Sequence, residues 1–116
     1  MLIPAVMKQY LIDELRPADR EKIKTYLDEN YGPCELGRVY WISMDPQYFS
    51  DTQFAHTACQ PFYFALELLP HALACELLVR TRERVRCECI AYADQRQREW
   101  IMELIDQMFE DLGVKT

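Results

Sequence analysis

The sequence has little glycine and histidine, no long apolar run and none of the common catalytic motifs. It contains three glycines and two histidines among 116 residues. The G-x-G-x-x-G, P-loop, H-E-x-x-H and G-x-S-x-G patterns are absent, which removes the usual signals of nucleotide-binding, zinc-protease and α/β-hydrolase chemistry. Charged residues interrupt each apolar stretch before it reaches the roughly 20 residues of a membrane helix. We therefore expect no membrane-spanning segment and no enzyme of these classes.

The composition indicates one folded domain with an acidic surface. Half of the residues are hydrophobic, which excludes a disordered chain, and the length suits one core rather than two. The formal charge of −6 disfavours nucleic acid as a partner because the long-range field repels polyanions. The first seven residues lack the basic segment of a secretion signal, and the five cysteines are an odd number. We predict a cytoplasmic protein with reduced thiols and no membrane partner.

Two helices are predicted from apolar residues at helical spacing. The first runs from Pro17 to Tyr31, with proline in its first turn and the Gly32–Pro33 pair at its end. The second follows Asp94, which forms a capping-box pattern with Gln97, and it ends at Gly113.

Four strands are predicted from β-branched and aromatic runs, over residues 39–42, 62–68, 74–79 and 85–92. Residues 47–59 form the longest irregular connection, with one or two short helical turns. Short links between the last three strands predict an antiparallel meander. The predicted fold class is α+β: a four-stranded, mainly antiparallel sheet with an N-terminal and a C-terminal helix packed on one face. Residues 10–15 fit either a short strand or an extra helical turn.

Cysteine and histidine occur in two spacings that could supply metal ligands. His56 and Cys59 form H-x-x-C in the irregular connection, and Cys87 and Cys89 form C-x-C in the last predicted strand. Zinc binds such nitrogen and sulfur donors tetrahedrally, but paired ligands usually lie on loops rather than inside a strand. The competing interpretation is that the cysteines are small buried hydrophobes. A third is a nucleophilic thiol, Cys59 or Cys34, activated by His56.

Arginine and aromatic residues indicate two further candidate sites. Between Arg80 and Arg98 there are six arginines and three acids, a local charge of +3, so the Arg80–Arg86 hairpin could bind phosphate or carboxylate groups. The anion-binding candidates are Arg82, Arg84 and Arg86. Aromatic residues crowd the connection, where loop residues held by rigid elements often bind ligands. The ligand-pocket candidates are Tyr40, Trp41, Tyr48, Phe54, His56 and Tyr63.

The sheet face away from the helices is predicted to be mixed in polarity. A solvated face with cross-strand pairs of glutamate and arginine is the simplest interpretation. A dimer or partner interface is the second, with a core of Leu78, Ile90 and Tyr63. A hard-cation site is the third, formed by Glu67, Glu76 and Glu88.

In the absence of a catalytic signature, the leading prediction is a small non-enzymatic binding or interaction module without a cofactor, either a homodimer or the partner of another protein. The alternative is a thiol-based protein that binds zinc or iron, or a small enzyme, using His56, Cys59, Cys87 and Cys89. A further alternative is anion recognition by the Arg80–Arg86 hairpin. Metal content, thiol reactivity and salt-dependent anion binding separate the three.

Overall fold

The computed structural model describes residues 8–83 and 86–115. In chain order its elements are β1 (Gln9–Ile12), α1 (Pro17–Tyr31), β2 (Val39–Ser43), α2 (Asp51–Ala55), β3 (Phe62–Leu68), β4 (Leu73–Glu76), β5 (Leu78–Thr81), β6 (Ala91–Tyr92) and α3 (Gln95–Leu112). Single 3-10 turns at Pro46–Tyr48 and Thr57–Cys59 flank α2. The α+β class is as predicted. Within these two ranges, none of the helices combines the length and the apolar character that a bilayer crossing needs.

Strand β3 is the centre of the sheet. It pairs with β2 along one edge and with both β4 and β5 along the other, and all of these pairs are antiparallel. Strand β1 extends the sheet beyond β4, and β6 extends it beyond β5. The prediction of a four-stranded meander is therefore wrong: the sheet has six strands, in the order β1-β4-β3-β5-β6 with β2 also on β3.

A bulge divides the strand predicted over residues 74–79. Leu66 pairs with Cys75, and Tyr63 pairs with Arg80. The four residues 76–79 therefore lie opposite only two residues of β3, 64 and 65. Because the two extra residues preserve the twofold alternation of a strand, residues 75, 77, 79 and 81 all stay buried.

The bulge also changes the outer neighbour of this edge. The Leu77 N–H donates to the Lys8 carbonyl over 3.0 Å, whereas the Leu77 carbonyl accepts from the Ala93 N–H over 2.7 Å. At Leu77 the outer hydrogen-bond partner of the β4–β5 edge therefore changes, from the segment that begins β1 to the segment that follows β6. This arrangement explains why a chain with short links does not form a simple meander.

The strand predicted over residues 85–92 is wrong except for its last two residues, which form β6. Residue 85 lies outside the described ranges. From Cys87 the chain turns, and the Ile90 N–H donates to the Cys87 carbonyl over 3.0 Å. Pairing with β5 covers only Leu78 and Val79, because the turn carries Cys89 into the core, where it is 1% exposed.

The predicted bounds of both long helices are confirmed. Pro17 occupies the first turn of α1, Asp94 and Gln97 form the capping box of α3, and Gly113 ends α3 in the left-handed conformation with φ 70°. The two helices bury their apolar residues against one sheet face. The shared core includes Ile23, Leu27, Tyr40, Ile42, Phe64, Leu66, Ile101 and Ile105.

The other sheet face carries ion pairs between residues that lie in the strands or directly beside them. Arg38 pairs with Glu67 over 2.7 Å, and Arg80 pairs with Glu76. Water screens such half-exposed pairs, so they add little to stability. The third glutamate of the predicted hard-cation site, Glu88, lies in the turn after β5, beside His56. The three glutamates therefore do not converge, and that prediction is wrong.

Candidate metal centre

Four predicted ligands meet between the irregular connection and the turn that follows β5. The ligand atoms of His56, Cys59, Cys87 and Cys89 all lie within 4.8 Å of one another. The His56 Nδ1 is 3.1 Å from the Cys87 Sγ, and the Cys59 Sγ is 4.0 Å from the same sulfur. Zinc bonds of about 2.3 Å to sulfur and about 2.0 Å to nitrogen give tetrahedral edges of about 3.5–3.8 Å. The two distances lie on either side of these values, so His56, Cys59 and Cys87 are close to the spacing that one ion needs.

The hydrogen bonds that cap α2 and the following 3-10 turn determine the positions of the first two ligands, His56 and Cys59. Ser50 and Gln53 form the capping box that begins α2, and His56 is the C-cap residue at its end. The His56 N–H donates to the carbonyls of Thr52 and Gln53, and the following 3-10 turn is closed by the Cys59 N–H donating to the His56 carbonyl over 3.0 Å. One compact stretch of backbone therefore presents both side chains.

A turn of the backbone positions the other two ligands. Cys87 and Cys89 belong to the turn closed by Ile90, not to a strand. This is the type of local structure on which zinc ligand pairs usually lie, so the sequence-based objection to the C-x-C pair no longer applies. Across the cluster, the buried Thr81 hydroxyl donates to the Cys59 carbonyl and fixes the first segment to β5.

The pKa values of the Cys87 and Cys89 thiols differ because their surroundings differ. Hydrogen bonding lowers the pKa of Cys87 to about 7; the main donor is the Cys89 backbone N–H, and the Cys89 thiol, His56 and Cys59 add smaller effects. Burial raises the pKa of Cys89 to about 12. In the metal-free protein Cys87 is therefore partly ionised near neutral pH, while Cys89 keeps its proton. An ion that binds both sulfurs must displace that proton.

Glu88 supplies a carboxylate to the other side of the imidazole. The His56 Nε2 lies 3.3 Å from the Glu88 Oε1, and the Glu88 side chain is 79% exposed. Metal-bound histidines commonly donate their second ring N–H to a carboxylate, which fixes the tautomer and the ring orientation. The arrangement leaves Nδ1 to face the Cys87 sulfur. This role of Glu88 was not predicted from the sequence.

Two buried glutamines connect the cluster to the core. Gln53 Nε2 donates to the Cys89 carbonyl over 3.2 Å, and Gln97 Nε2 donates to the Gln53 Oε1 over 2.8 Å. Both side chains are 2% exposed. The same hydrogen-bond network therefore holds α2, the C-x-C turn and the start of α3.

The structure places four of the predicted ligand-pocket residues in different surroundings. Tyr40 is buried and its hydroxyl donates to Asp28. Tyr48 stacks on Trp100, and Phe54 is 67% exposed. His56 is the one that joins the cysteines.

The other two ligand-pocket candidates, Trp41 and Tyr63, lie together on the outer sheet face. The Arg82 guanidinium lies 5.7 Å from the centre of the Trp41 ring and 5.5 Å from that of Tyr63. These distances are in the range of cation–π contacts. The arginine therefore covers both rings.

The predicted anion-binding residues are not described as one group. Arg82 pairs with Glu35 over 2.8 Å, so part of its charge is already neutralised. Arg86 is exposed, and Arg84 lies outside the described residues. Anion binding and partner binding both stay predictions.

Comparison of the chain with protein-family models, with curated proteins and with solved structures found no match. A function must therefore be inferred from the geometry of the chain itself.

Replacing Gln53 with leucine should lower the free energy of unfolding by about 2–4 kcal/mol, because the buried Cys89 carbonyl and Gln97 amide both lose a partner. Chemical denaturation of the metal-free protein measures the change. Gln95→Leu is the control, since this residue is exposed in the first turn of α3 and should change stability by less than about 0.5 kcal/mol. Equal losses in the two variants would contradict the proposed network.

In the metal-free protein, the rate of Cys87 alkylation by iodoacetamide should rise with pH to a midpoint near 7, because hydrogen bonds stabilise the thiolate. Mass spectrometry of the labelled peptides measures the rate at each cysteine. Cys75 is the internal control, since burial raises its pKa to about 12 and it should stay unmodified.

The lowered pKa of Cys87 also means that this thiol stabilises the fold at high pH and that the contribution is lost as the pH falls through 7. A midpoint near the ordinary 9.0 would contradict the assignment.

Proposed function

We propose that this protein is a zinc-binding domain in which one ion joins the irregular connection to the turn after β5. The observation that carries the proposal is the convergence of four ligand atoms within 4.8 Å. Three thiolates and one imidazole form one of the ligand sets that structural zinc sites use. The ligands come as two local pairs from segments 28 residues apart, measured from Cys59 to Cys87.

The ligand count favours a structural ion over a catalytic one. A catalytic zinc keeps one position open for water or substrate, whereas a structural zinc has four protein ligands. Here the chain offers four donors, and Cys59 and Cys89 are 3% and 1% exposed. A closed site of this kind suits the non-enzymatic binding module predicted from the sequence. Its homodimeric state is a separate prediction.

The role of the ion follows from its location. Around the cluster the regular structure is sparse: β6 has two residues, and α2 has five. Few backbone ladder bonds hold these segments, so the ion would supply a cross-link between parts of the chain that are distant in sequence. Structural zinc sites contribute to folding free energy in this way.

The chemistry of the donors selects the metal. Thiolates are soft ligands, which prefer zinc, copper(I) and iron–sulfur centres over magnesium or calcium. Zinc also accepts a mixed sulfur and nitrogen tetrahedron without a geometric preference of its own. The proposal therefore names zinc, and iron is the alternative that elemental analysis separates from it.

Protein purified without a tag or chelator should contain about one zinc per chain, since all four ligands are present. Elemental analysis against a calibrated protein concentration measures this. Zinc at about 100 times its Kd should add about 2.7 kcal/mol of stability and raise the Tm of the chelated protein by about 10 °C. Cobalt(II) in place of zinc should give thiolate charge-transfer bands and the ligand-field spectrum of a tetrahedral site.

The matched variants are Cys87→Ser and Cys34→Ser. Loss of a direct ligand should weaken zinc binding by more than about 100-fold, because even the outer partners of metal ligands are worth about 10–100-fold. Cys34 lies outside the cluster, so its variant should keep a full ion. If the analysis finds about one iron per chain instead of zinc, the site is an iron site. No bound metal, with zinc affinity equal in both variants, would overturn it.

A second candidate function is thiol chemistry in a metal-free protein. The Cys87 sulfur, the His56 ring and the Glu88 carboxylate follow one another at 3.1 Å and 3.3 Å. Nucleophile, base and orienting acid occur in this order in thiol enzymes. The two functions differ in the protein as isolated: zinc would protect Cys87 from alkylation, whereas a catalytic thiol would react at once.

A further inference from the structure

A cavity of about 350 Å³ lies between α1 and α3, and it shares no lining residue with the metal centre. Its volume is in the range of about 300–1,000 Å³ that small-molecule sites occupy. Two tyrosines of α1, Tyr26 and Tyr31, and Trp100 of α3 form its aromatic lining. Ile42 of β2 and Met108 of α3 add apolar surface.

The aromatic rings are held in place by their neighbours. Tyr48 stacks on Trp100 with ring centres 5.3 Å apart, and Phe64 meets Trp100 edge-on at 5.8 Å. Tyr26 and Tyr31 lie 6.4 Å apart at an angle of 60°. Rings fixed in this way form a preorganised lining, which lowers the cost of ordering them around a ligand.

The charge lining the cavity is negative. Glu103 and Asp111 line it from α3, and Gln107 donates to the Asp111 Oδ1 over 2.9 Å. No lysine, arginine or histidine occurs among the described residues that line it. Neither carboxylate forms a salt bridge with another described residue. An anionic ligand would be repelled here.

The ends of both helices add to this negative potential. Helix α1 ends at Tyr31, which lines the cavity, and α3 ends at Leu112, next to Asp111. Neither helix has a basic residue in its last turn. The C-terminal carbonyls of a helix carry partial negative charge that favours cations, and no basic side chain in the last turn of α1 or α3 offsets it.

We infer that this cavity binds a small organic cation, an ammonium group that carries apolar substituents. The aromatic rings and the carboxylates would attract the positive charge, and the aliphatic lining would contact the substituents. Aromatic cages recognise quaternary ammonium groups in proteins through cation–π contacts, and here the exposed carboxylates of Glu103 and Asp111 add electrostatic attraction. The inference does not depend on zinc binding.

The experiment titrates the Trp41→Phe protein with choline, used only as a trimethylammonium probe. The chain has two tryptophans, so Trp100 then reports alone through its fluorescence. The uncharged isostere 3,3-dimethylbutan-1-ol tests the role of charge at equal shape. We expect saturable binding of choline at low salt, at least about 10-fold tighter than binding of the isostere.

Three variants complete the test. Tyr31→Leu keeps the cavity apolar but removes a ring, and the double variant Glu103→Gln, Asp111→Asn removes both carboxylates; each should weaken choline binding by about 5-fold or more. Glu110→Gln makes the same kind of charge change outside this cavity and should leave the affinity within about twofold. Thermal melting checks that each variant is folded. Equal affinity for the two probes, equal losses in Glu110→Gln and the double variant, or no saturable signal would each overturn the inference.

Discussion

The hydrogen bond between the side-chain amides of Gln53 and Gln97 is the contact on which the rest of the arrangement depends. Each glutamine closes the capping box of its own helix, and its remaining amide hydrogens reach the Cys89 and Tyr48 carbonyls. Because these groups are buried, each must find a partner inside the protein. Among the described residues, no buried side-chain nitrogen or oxygen lacks one. The network therefore allows one relative placement of α2, α3 and the C-x-C turn.

This constraint explains why four ligands converge where regular structure is sparse. The amide network fixes the backbone at Cys89, and Thr81 fixes it at Cys59. These contacts hold the side chains close together, although three thiolates would repel one another. The protein meets this conflict by leaving the charge on Cys87 and the proton on Cys89. A divalent ion removes the conflict, because it neutralises the sulfurs that the fold holds together.

The parts of the fold that could be predicted are those encoded locally. The bounds of α1 and α3 follow from Pro17, from the Asp94–Gln97 box and from Gly113, all within a few residues of the helix ends. The split of β4 from β5 was not predictable, because a bulge depends on register against β3. The C-x-C segment alternates like a strand, and only its contacts with residues 28 or more positions away make it a turn. The Ser50–Gln53 capping-box pattern is present in the sequence and predicts the start of α2. It does not predict that Gln53 is buried.

Helix α3 joins the histidine–cysteine cluster to the cavity beside α1. Gln97 holds the Tyr48 carbonyl over 2.9 Å, and the Tyr48 ring stacks on Trp100, which lines the cavity. Two contacts thus separate a residue of the amide network from the aromatic lining. If an ion at the cysteines restrains Gln53 and Gln97, it also restrains Trp100. Linkage then requires that zinc change the affinity for an organic cation by the same factor as the cation changes the affinity for zinc. The size of that factor depends on how firmly α3 and the Tyr48 ring hold Trp100, because Gln97 and Trp100 lie on the same helix and Tyr48 contacts both.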